Sequence, residues 1–310
     1  MTKLPNEEFR QLVCLIRDKE FYEPEDIRPI DWPKYNLTQI KDAKETLNFI
    51  RTQVDEVDAL LLKGKAGKPL TNPKYLVKSI LICEALGLTE RNAQGWLEIL
   101  GPFVGIDEHL DDRTIGDAYD KIEVIYLLKQ IFEKTKNSDG ILSGDGTGLE
   151  TSRKQNYESY KKAGNHMTSI VDSREVVQDF DIYEHECKAM HILIENVYGN
   201  SLRLDAGFND RKLVKKIDSR GIVPYIFPKK INNLNGSVAW KSMYMDLFFD
   251  VMTWLTEYHK RSHSESFHSS FKTRYGIITK RRLSSILSQV TARIILHNRR
   301  RLSYFNRING

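Results

Sequence analysis

Residues 201–228 read SLRLDAGFNDRKLVKKIDSRGIVPYIFP and change local pattern twice. SLRL and IVPYIFP are short apolar runs with β-branched and aromatic residues, which is typical of strands. Between them, NDRKLVKKIDSR has apolar residues at helical spacing, and Gly221 is the expected C-terminal stop. The stretch therefore predicts a strand, a helix and a strand, a unit that builds a sheet with a helix packed on its face.

Neighbouring segments add strands and helices to this unit. ILSGDGTGLE at 141–150 is a short apolar run that ends in glycines, and HMTSIVDSREVVQDFDI at 166–182 predicts two strands joined by a turn. Residues 183–199 have helical spacing, and we expect 238–273 to form one long helix, before a last amphipathic helix that begins at Leu283. The order of these elements predicts an α/β fold, in which a mixed sheet is flanked by helices.

The region before the sheet is predicted to be all-helical. Apolar residues from Ile40 to Leu61 recur at alternating spacings of three and four, which predicts a heptad seam for a helical hairpin or a short coiled coil. A linker rich in glycine and proline follows near 63–73. We predict a helical region at 1–135, an α/β domain at 136–282 and a basic C-terminal helix packing on the core at 283–310.

Three further helices are predicted in this N-terminal region. They are KYLVKSILICEAL, LTERNAQGWLEIL and the segment DDRTIGDAYDKIEVIYLLKQIFEKT at 111–135, which Asp112 or Thr114 would cap. Short helices joined by tight turns permit either a helix-turn-helix module that binds DNA or an ordinary helical bundle.

Composition narrows the class of protein. Of the 310 residues, 40% are hydrophobic and 29% are charged. No apolar run reaches the roughly 18 residues of a membrane span. The N-terminus lacks the pattern of a signal peptide, and the three cysteines are far apart in the sequence. We therefore expect a cytoplasmic protein whose cysteines are reduced core thiols.

Positive charge is concentrated at the C-terminal end of the chain. Residues 260–310 contain twelve Lys or Arg and a single acid, Glu265. Such segregation favours a nucleic acid or a membrane surface as partner, because clustered cations gain free energy by releasing counterions from a polyanion. The alternative is a solvated basic helix.

Two aspartates stand at the ends of predicted strand segments. Asp145 follows the run ILSG and has glycines on both sides, and Asp205 follows LRL and precedes Ala206 and Gly207. A carboxylate at a strand end beside small residues can approach a ligand or a metal ion closely. The alternative for each aspartate is a cap of the following helix or turn.

The stretch YHKRSHSESFHSSFK at 258–272 places a carboxylate among bases. On one continuous helix, four side chains would share a face within about 60° of arc: Tyr258, Arg261, Glu265 and Lys272. A plain salt bridge between Arg261 and Glu265 is the simpler interpretation. The three histidines of the stretch do not share a face, which disfavours a zinc site.

These residues together resemble a known family. The spacing Tyr258-x2-Arg261-x3-Glu265-x6-Lys272 resembles the YREK signature of DDE transposases from prokaryotic insertion sequences, which have a ribonuclease H-like catalytic core. The segments around Asp145 and around the quoted residues 201–228 resemble the first and second acidic blocks of that family. The resemblance extends over about 140–282. It implies a ribonuclease H-like mixed sheet flanked by helices, preceded by an all-helical N-terminal domain.

The resemblance also implies a function. The protein would cleave DNA at terminal inverted repeats and transfer the strands into target DNA. Catalysis would rest on three acids that bind two Mg²⁺ or Mn²⁺ ions: Asp145, Asp205 and Glu265. DNA would be contacted by Tyr258, Arg261, Lys272, Arg274, Arg281, Arg282, Arg299, Arg300 and Arg301. A homodimer in the DNA complex, no membrane partner and a nucleoid-associated location in a prokaryotic cytoplasm are further implications.

One departure from the family is visible in the sequence. Some relatives carry a large β-rich insertion between the last sheet strand and the helix that bears the glutamate. Here only about thirty residues, 228–258, separate the two, so such an insertion is absent. Trp240 and Trp254 of this segment are candidates for DNA contact in its place.

Two other functions stay open. One is a ribonuclease H-like nuclease or junction resolvase that only hydrolyses DNA. The other is a catalytically inactive DNA-binding regulator, against which the retained set of three acids argues. A sequence-reading module in the N-terminal helices would favour transposition over a nuclease that recognises DNA shape.

Overall fold

The protein divides into two compact units in a computed structural model of the chain. The structure describes residues 4–17, 29–60, 70–151, 165–182 and 184–309. The first unit, termed the sheet unit, takes in Met1–Pro29, Ser138–Gly148 and His166–Ser270. The second, termed the helical unit, takes in Ile30–Asn137, Leu149–Asn165 and Phe271–Gly310. The predicted three-part division of the chain, with boundaries at 135 and 282, stays a prediction.

Helices predominate among the described residues. In chain order they are α1 Asn6–Arg17, α2 Trp32–Asp55, α3 Pro73–Leu86, α4 Glu90–Val104, α5 Asp112–Ala118, α6 Ile122–Thr135, α7 Glu186–Leu193, α8 Arg211–Ser219, α9 Val238–Phe249, α10 Val251–His259, α11 Ser262–Tyr275 and α12 Leu283–Asn309. The strands are β1 Ile141–Leu149, β2 Asn165–Val171, β3 Val177–Asp181, β4 Ser201–Leu204 and β5 Val223–Ile226. Within these described segments, no helix combines the length and the apolar character needed to cross a membrane.

The strands form one mixed sheet in the order β3-β2-β1-β4-β5. β1 pairs in parallel with β4, β4 pairs in parallel with β5, and β2 pairs antiparallel with β3. Parallel neighbours need a crossover connection, and α8 supplies it between β4 and β5. The quoted stretch therefore folds as predicted. The predicted α/β fold, a mixed sheet flanked by helices and consistent with a ribonuclease H-like architecture, is confirmed.

The hairpin between β2 and β3 is organised by a buried carboxylate. Asp172 is fully buried and accepts hydrogen bonds from the main-chain N–H groups of Arg174 and Val176, both at 2.9 Å. Its carboxylate also pairs with the guanidinium of Arg174 at 2.7 Å. Aspartate commonly binds backbone N–H groups shortly after itself, which explains why a turn was predictable at this point.

Apolar side chains fill the core of the sheet unit. Leu142, Leu202 and Ile226, one from each parallel strand, are fully buried. Helix α1 joins this core, because the ring of Phe9 lies 5.3 Å from the ring of Tyr244 between centroids. The first helix of the chain is therefore grouped with the sheet and not with the helices that follow it.

The single long helix predicted for 238–273 is wrong. The segment forms α9, α10 and α11. Asp250 leaves the helical region with φ −139° and ψ 78°, and its carboxylate accepts the N–H of Thr253 at 3.1 Å as the N-cap of α10. A second turn at Lys260 and Arg261 separates α10 from α11. The apolar spacing continues across both breaks, so the pattern alone concealed them, although aspartate favours helix starts over helix interiors.

The segment 111–135 also forms two helices where one was predicted. Its N-cap is Asp111, which accepts the N–H of Thr114 at 2.6 Å, and not Asp112 or Thr114. The break falls next to Asp120, whose carboxylate accepts hydrogen bonds from the serines at the start of α12. A tertiary contact therefore explains an interruption that the local sequence does not signal.

The heptad seam predicted for α2 is wrong in its N-terminal half. Ile50 is fully buried as expected, but Ile40 is 79% exposed and Thr38 is buried. Burial of Thr38 is tolerated because its hydroxyl donates to the carbonyl of Lys34 at 2.8 Å. The last seam residue, Leu61, lies outside the described residues.

A buried ionic cluster joins α12 to α3 in the helical unit. Glu84 accepts hydrogen bonds at 2.6 to 3.0 Å from three side chains, those of Tyr119, Gln289 and Arg293. The side chains of Glu84 and Arg293 are each 6% exposed. This cluster lets the polar side of α12 face the interior, so the amphipathic pattern predicted for that helix understates its burial.

A second buried guanidinium ties β4 to α10 in the sheet unit. Arg203 is 1% exposed and donates to the main-chain carbonyl of Glu257 at 2.8 Å and to its carboxylate at 2.6 Å. Another N–H group of Arg203 donates to the hydroxyl of Ser201 at 2.7 Å. Ser143, the partner of Arg203 in the register of β1 with β4, donates its hydroxyl to the carbonyl of Lys260 at 2.9 Å. The C-terminal end of α10 is thus attached to both central strands.

We expect Glu257→Ala to lower the free energy of unfolding by about 3 kcal/mol, because it leaves a buried guanidinium without its counter-ion. The loss stays at the low end of the usual range since Arg203 keeps its main-chain acceptors. Chemical denaturation followed by circular dichroism measures the change.

Lys260→Ala is the matched control for this prediction. Lys260 also pairs with Glu257, but both side chains are 31% exposed in that contact. Its removal should therefore cost less than about 1 kcal/mol. Equal losses in the two variants would contradict a dominant role for the buried pair.

In the helical unit, Glu84→Gln should destabilise the chain by about 3–5 kcal/mol, because Arg293 keeps a buried charge with no carboxylate to balance it. Adding Arg293→Met to this variant should recover part of the loss, since the stranded charge is then removed as well. Urea denaturation of both single variants and the double variant gives the coupling free energy. Strictly additive losses would rule out the ion pair as the link between α3 and α12.

Candidate active site

The register of the central strands aligns the two predicted aspartates. Ser143 of β1 pairs with Arg203 of β4. The same offset brings Asp145 level with Asp205, which directly follows β4. In open α/β sheets, sites form at the ends of the strands where the chain leaves the sheet. The alignment that the strand pattern only suggested is therefore set by backbone pairing.

The same strands also fix the turn that carries the next site residue. Side chains two apart on a strand point to the same face, so Ser143 lies on the face of Asp145, and Arg203 lies on the face of Asp205. Ser143 and Arg203 hold the end of α10, and Arg261 follows that end directly in the chain. These hydrogen bonds from Ser143 and Arg203 therefore place the turn that carries Arg261 on the same face of the sheet as the aspartates.

Arg261 joins two of the three predicted acids. Its Nη2 lies 2.5 Å from Oε1 of Glu265, which is in the first turn of α11, and its Nη1 lies 3.7 Å from Oδ2 of Asp145. The side chains of Arg261 and Asp145 are 22% and 21% exposed, whereas that of Glu265 is 55% exposed. One guanidinium thus bridges a strand carboxylate and a helix carboxylate.

Asp205 completes the group and also caps a short helix. Its Oδ1 accepts the N–H of Gly207 at 2.6 Å, as the N-cap of the 3-10 helix Ala206–Phe208. The capping interpretation of this residue is therefore correct, and it coexists with a place beside Asp145. An added Cβ at Gly207 would lie 2.8 Å from the carboxylate of Asp205, which accounts for the small residue at this position.

The pKa of Asp145 is shifted by burial and by the other charged groups of the site, which shows that these groups lie close to it. Burial raises the pKa of Asp145 to about 6, and the negative charges of Asp205 and Glu265 act in the same direction. The N–H of Gly146 and the charge of Arg261 oppose this shift. The site therefore carries more negative charge than its one guanidinium balances.

Tyr258 does not share a helix with Glu265, so the predicted single face is wrong. The chain turns after α10, and Tyr258 points into the core, where it is 9% exposed. Its ring stacks on Trp254 at 5.4 Å and contacts Phe227 at 5.1 Å between centroids. Burial raises the pKa of Tyr258 to about 12. Its assignment to DNA contact stays a prediction.

The two tryptophans proposed to contact DNA are core residues. Trp240 is 1% exposed and Trp254 is 3% exposed. The indole N–H of Trp240 donates to the carbonyl of Asn233 at 2.8 Å. Contact of these tryptophans with DNA stays a prediction that their burial does not support, because the large rings stabilise the packing of α9 and α10.

The other predicted DNA contacts are grouped with the helical unit. Lys272, seven residues after Glu265 in α11, and Arg281 are exposed. Arg282 is exposed as well and pairs with Asp120 at 2.6 Å. These three side chains keep their charged groups at the surface.

The remaining predicted arginines each contact another side chain of the helical unit. Arg299 is 7% exposed and pairs with Asp42, which also pairs with Arg274 at 2.8 Å. Arg300 donates to the side chain of Gln39, and the guanidinium of Arg301 lies 5.2 Å from the ring centroid of Phe305. DNA contact stays a prediction for all four arginines. It has the least support for Arg299, because that side chain is buried.

Sequence reasoning missed the residues that position the acids. Ser143 and Arg203 each precede a predicted aspartate by two residues, and this repeated spacing was a usable signal. Nothing in the sequence marked Glu257 as the partner of Arg203. Gly146 has a further role that is visible only in three dimensions, because a Cβ there would collide with the carboxylate of Glu186.

The acids fit a divalent cation in their chemistry. Carboxylate oxygens are the ligands that Mg²⁺ and Mn²⁺ prefer, and the surplus negative charge around Asp145 favours a bound cation. In the described parts of the chain, however, no three His, Cys, Asp or Glu side chains are spaced as a ready metal site. The guanidinium of Arg261 lies between two of the acids instead.

Comparison with known families places this site in context. A family model described as "Transposase DDE domain" matches residues 136–298. No curated protein and no solved structure matches the chain. The matched segment covers more than half of the sequence and contains the acids of both strands and of α11. The chain therefore belongs to the DDE transposases.

Proposed function

We propose that the protein cleaves DNA at the terminal inverted repeats of a mobile element and joins the exposed 3′ hydroxyl groups to target DNA. Membership of the family supports DNA as the substrate. The observation that carries the proposal is that Asp205 and Glu265 both lie near Asp145, with Arg261 between Asp145 and Glu265, inside the matched segment. We assign the catalytic role to these three acids.

The chemistry needs a dense group of carboxylates. Cleavage of a phosphodiester requires an activated nucleophile and a stabilised leaving oxygen, and a pair of divalent ions would supply both when bound. We propose that Asp145, Asp205 and Glu265 hold Mg²⁺ or Mn²⁺. Ser143 and Arg203 keep the acids aligned through their hold on α10.

Recognition of DNA is assigned to exposed cations and to the N-terminal helices. Lys272 and Arg281 are the best placed of the predicted contacts, since both are exposed. Helix α3 ends at Gly87, whose φ of +65° makes a tight turn before α4 begins. This arrangement supports a helix-turn-helix module that reads the repeats.

Assembly and location complete the proposal. Two ends of one element must be held together for strand transfer, so we propose a homodimer in the DNA complex. We also propose that the protein acts in a prokaryotic cytoplasm, in association with the nucleoid, as a transposase of an insertion sequence.

The catalytic assignment predicts that Asp145→Asn, Asp205→Asn and Glu265→Gln each lower metal-dependent cleavage at least about 100-fold, because each removes a charge needed in the transition state. The assay uses labelled duplexes that carry the inverted repeats flanking the coding region, with Mg²⁺ or Mn²⁺. Joining of the cut ends to a target plasmid is scored in the same reaction.

Asp218→Asn, at an exposed position of α8, is the control and should cleave normally. Thermal melting of each variant separates loss of chemistry from loss of folding. Full cleavage by the Asp145, Asp205 or Glu265 variants would refute the assignment. Cleavage without joining in the wild-type protein would favour the nuclease over the transposase.

Phosphate contact should be visible in the salt dependence of DNA binding. Arg281→Gln should reduce the slope of log K against log salt by about 1, because one phosphate contact is lost. Arg299→Gln should change the slope less than Arg281→Gln does and should lower stability, since the Arg299 side chain is 7% exposed and pairs with Asp42 inside the helical unit. Fluorescence anisotropy at several salt concentrations measures both slopes, and the reverse pattern would remove Arg281 from the interface.

A further inference from the structure

The guanidinium of Arg261 supplies positive charge among the acids of the candidate site. Arg261 lies 2.5 Å from Glu265 and 3.7 Å from Asp145, measured between guanidinium nitrogen and carboxylate oxygen. Asp205 adds a third negative charge beside Asp145. Like charges so close repel one another strongly when water is partly excluded, so a cation among them stabilises the arrangement.

We propose that Arg261 is a positioning residue that acts as an internal counter-ion. In the protein free of metal and DNA, its guanidinium holds Asp145 and Glu265 in place, and it releases both when a divalent cation binds. This inference rests on the proposed function, because it concerns the same acids. It also explains why those acids are not spaced as a ready metal site in the described chain.

The turn that carries Arg261 is held without the help of its side chain. The carbonyl of Lys260 accepts the hydroxyl of Ser143, and the carbonyl of Glu257 accepts an N–H group of Arg203. The guanidinium of Arg261 can therefore leave the acids while the backbone stays in place. Release exchanges one cation for another and requires no refolding of α10 or α11.

An aromatic ring already lies beside the guanidinium while it pairs with the acids. Its Cζ atom lies 6.0 Å from the ring centroid of Tyr258, a distance at which an aromatic face attracts a cation. The side chain is also 22% exposed, so it has access to solvent. Once released, Arg261 remains beside the site as a cation able to contact a DNA phosphate.

The test compares Arg261→Gln and Arg261→Lys with the wild-type protein by titrating Mg²⁺ alone, without DNA, in a calorimeter. Removing the competing charge should tighten Mg²⁺ binding about tenfold in Arg261→Gln, since a charged hydrogen bond no longer has to be broken. Arg261→Lys should give an intermediate affinity. In EDTA, Arg261→Gln should have a lower melting temperature than the wild type. Mg²⁺ should raise the melting temperature of Arg261→Gln more than it raises that of the wild type.

Lys260→Gln is the matched control, since it removes the neighbouring cation that pairs with Glu257, and its Mg²⁺ affinity should equal that of the wild type. Equal or weaker Mg²⁺ binding by Arg261→Gln, in a protein whose cleavage still requires metal, would overturn the internal counter-ion and leave the proposed function intact. Absence of Mg²⁺ binding from every variant, together with cleavage in EDTA, would overturn both.

Discussion

The geometry of the candidate site depends on one buried guanidinium, that of Arg203. Removing an arginine from water costs several kcal/mol, and the cost is offset only if the group is fully paired. Glu257 supplies a carboxylate and a carbonyl, and the strands supply further oxygen acceptors. Burial lowers the pKa of Arg203, and the contact with Glu257 opposes that shift. The end of α10 is thereby fixed to β4, because the buried guanidinium needs the acceptors that Glu257 supplies.

The consequence follows from the two-residue period of a strand. Arg203 of β4 and Asp205, which directly follows β4, lie on one face of the sheet, and Ser143 and Asp145 of β1 lie on the same face. Each strand therefore uses one side chain to hold the helix end and the next on that face to build the site. A one-residue slip of either strand would move both of its groups to the other face of the sheet, so the contacts that hold α10 and the site acids are specified together.

The sequence predicted the parts of the fold that local pattern controls. The turn at Asp172, the crossover helix that ends near Gly221 and the two aspartates at the strand ends follow from local residue types. The breaks at Asp250 and at 260–261 escaped prediction, because apolar spacing continues through them while capping and tertiary bonds end the helices. The burial of Arg203 in β4 was likewise not predictable from the local sequence, since its partner Glu257 lies 54 positions away in the chain.

The balance of charge at the site explains why an arginine stands three residues after Tyr258. An exposed lysine or arginine would serve to bind phosphate, but the side chain of Arg261 is mostly buried and touches two of the acids. Although burial alone lowers the pKa of Arg261, the contacts with Tyr258, Glu265 and Asp145 raise it overall, so its charge is secure. A group with fixed charge, a flat shape and several N–H donors can bridge two carboxylates that lie on different elements. The same features suit it to a phosphate once the carboxylates are neutralised in another way, so one residue can serve two partners in sequence.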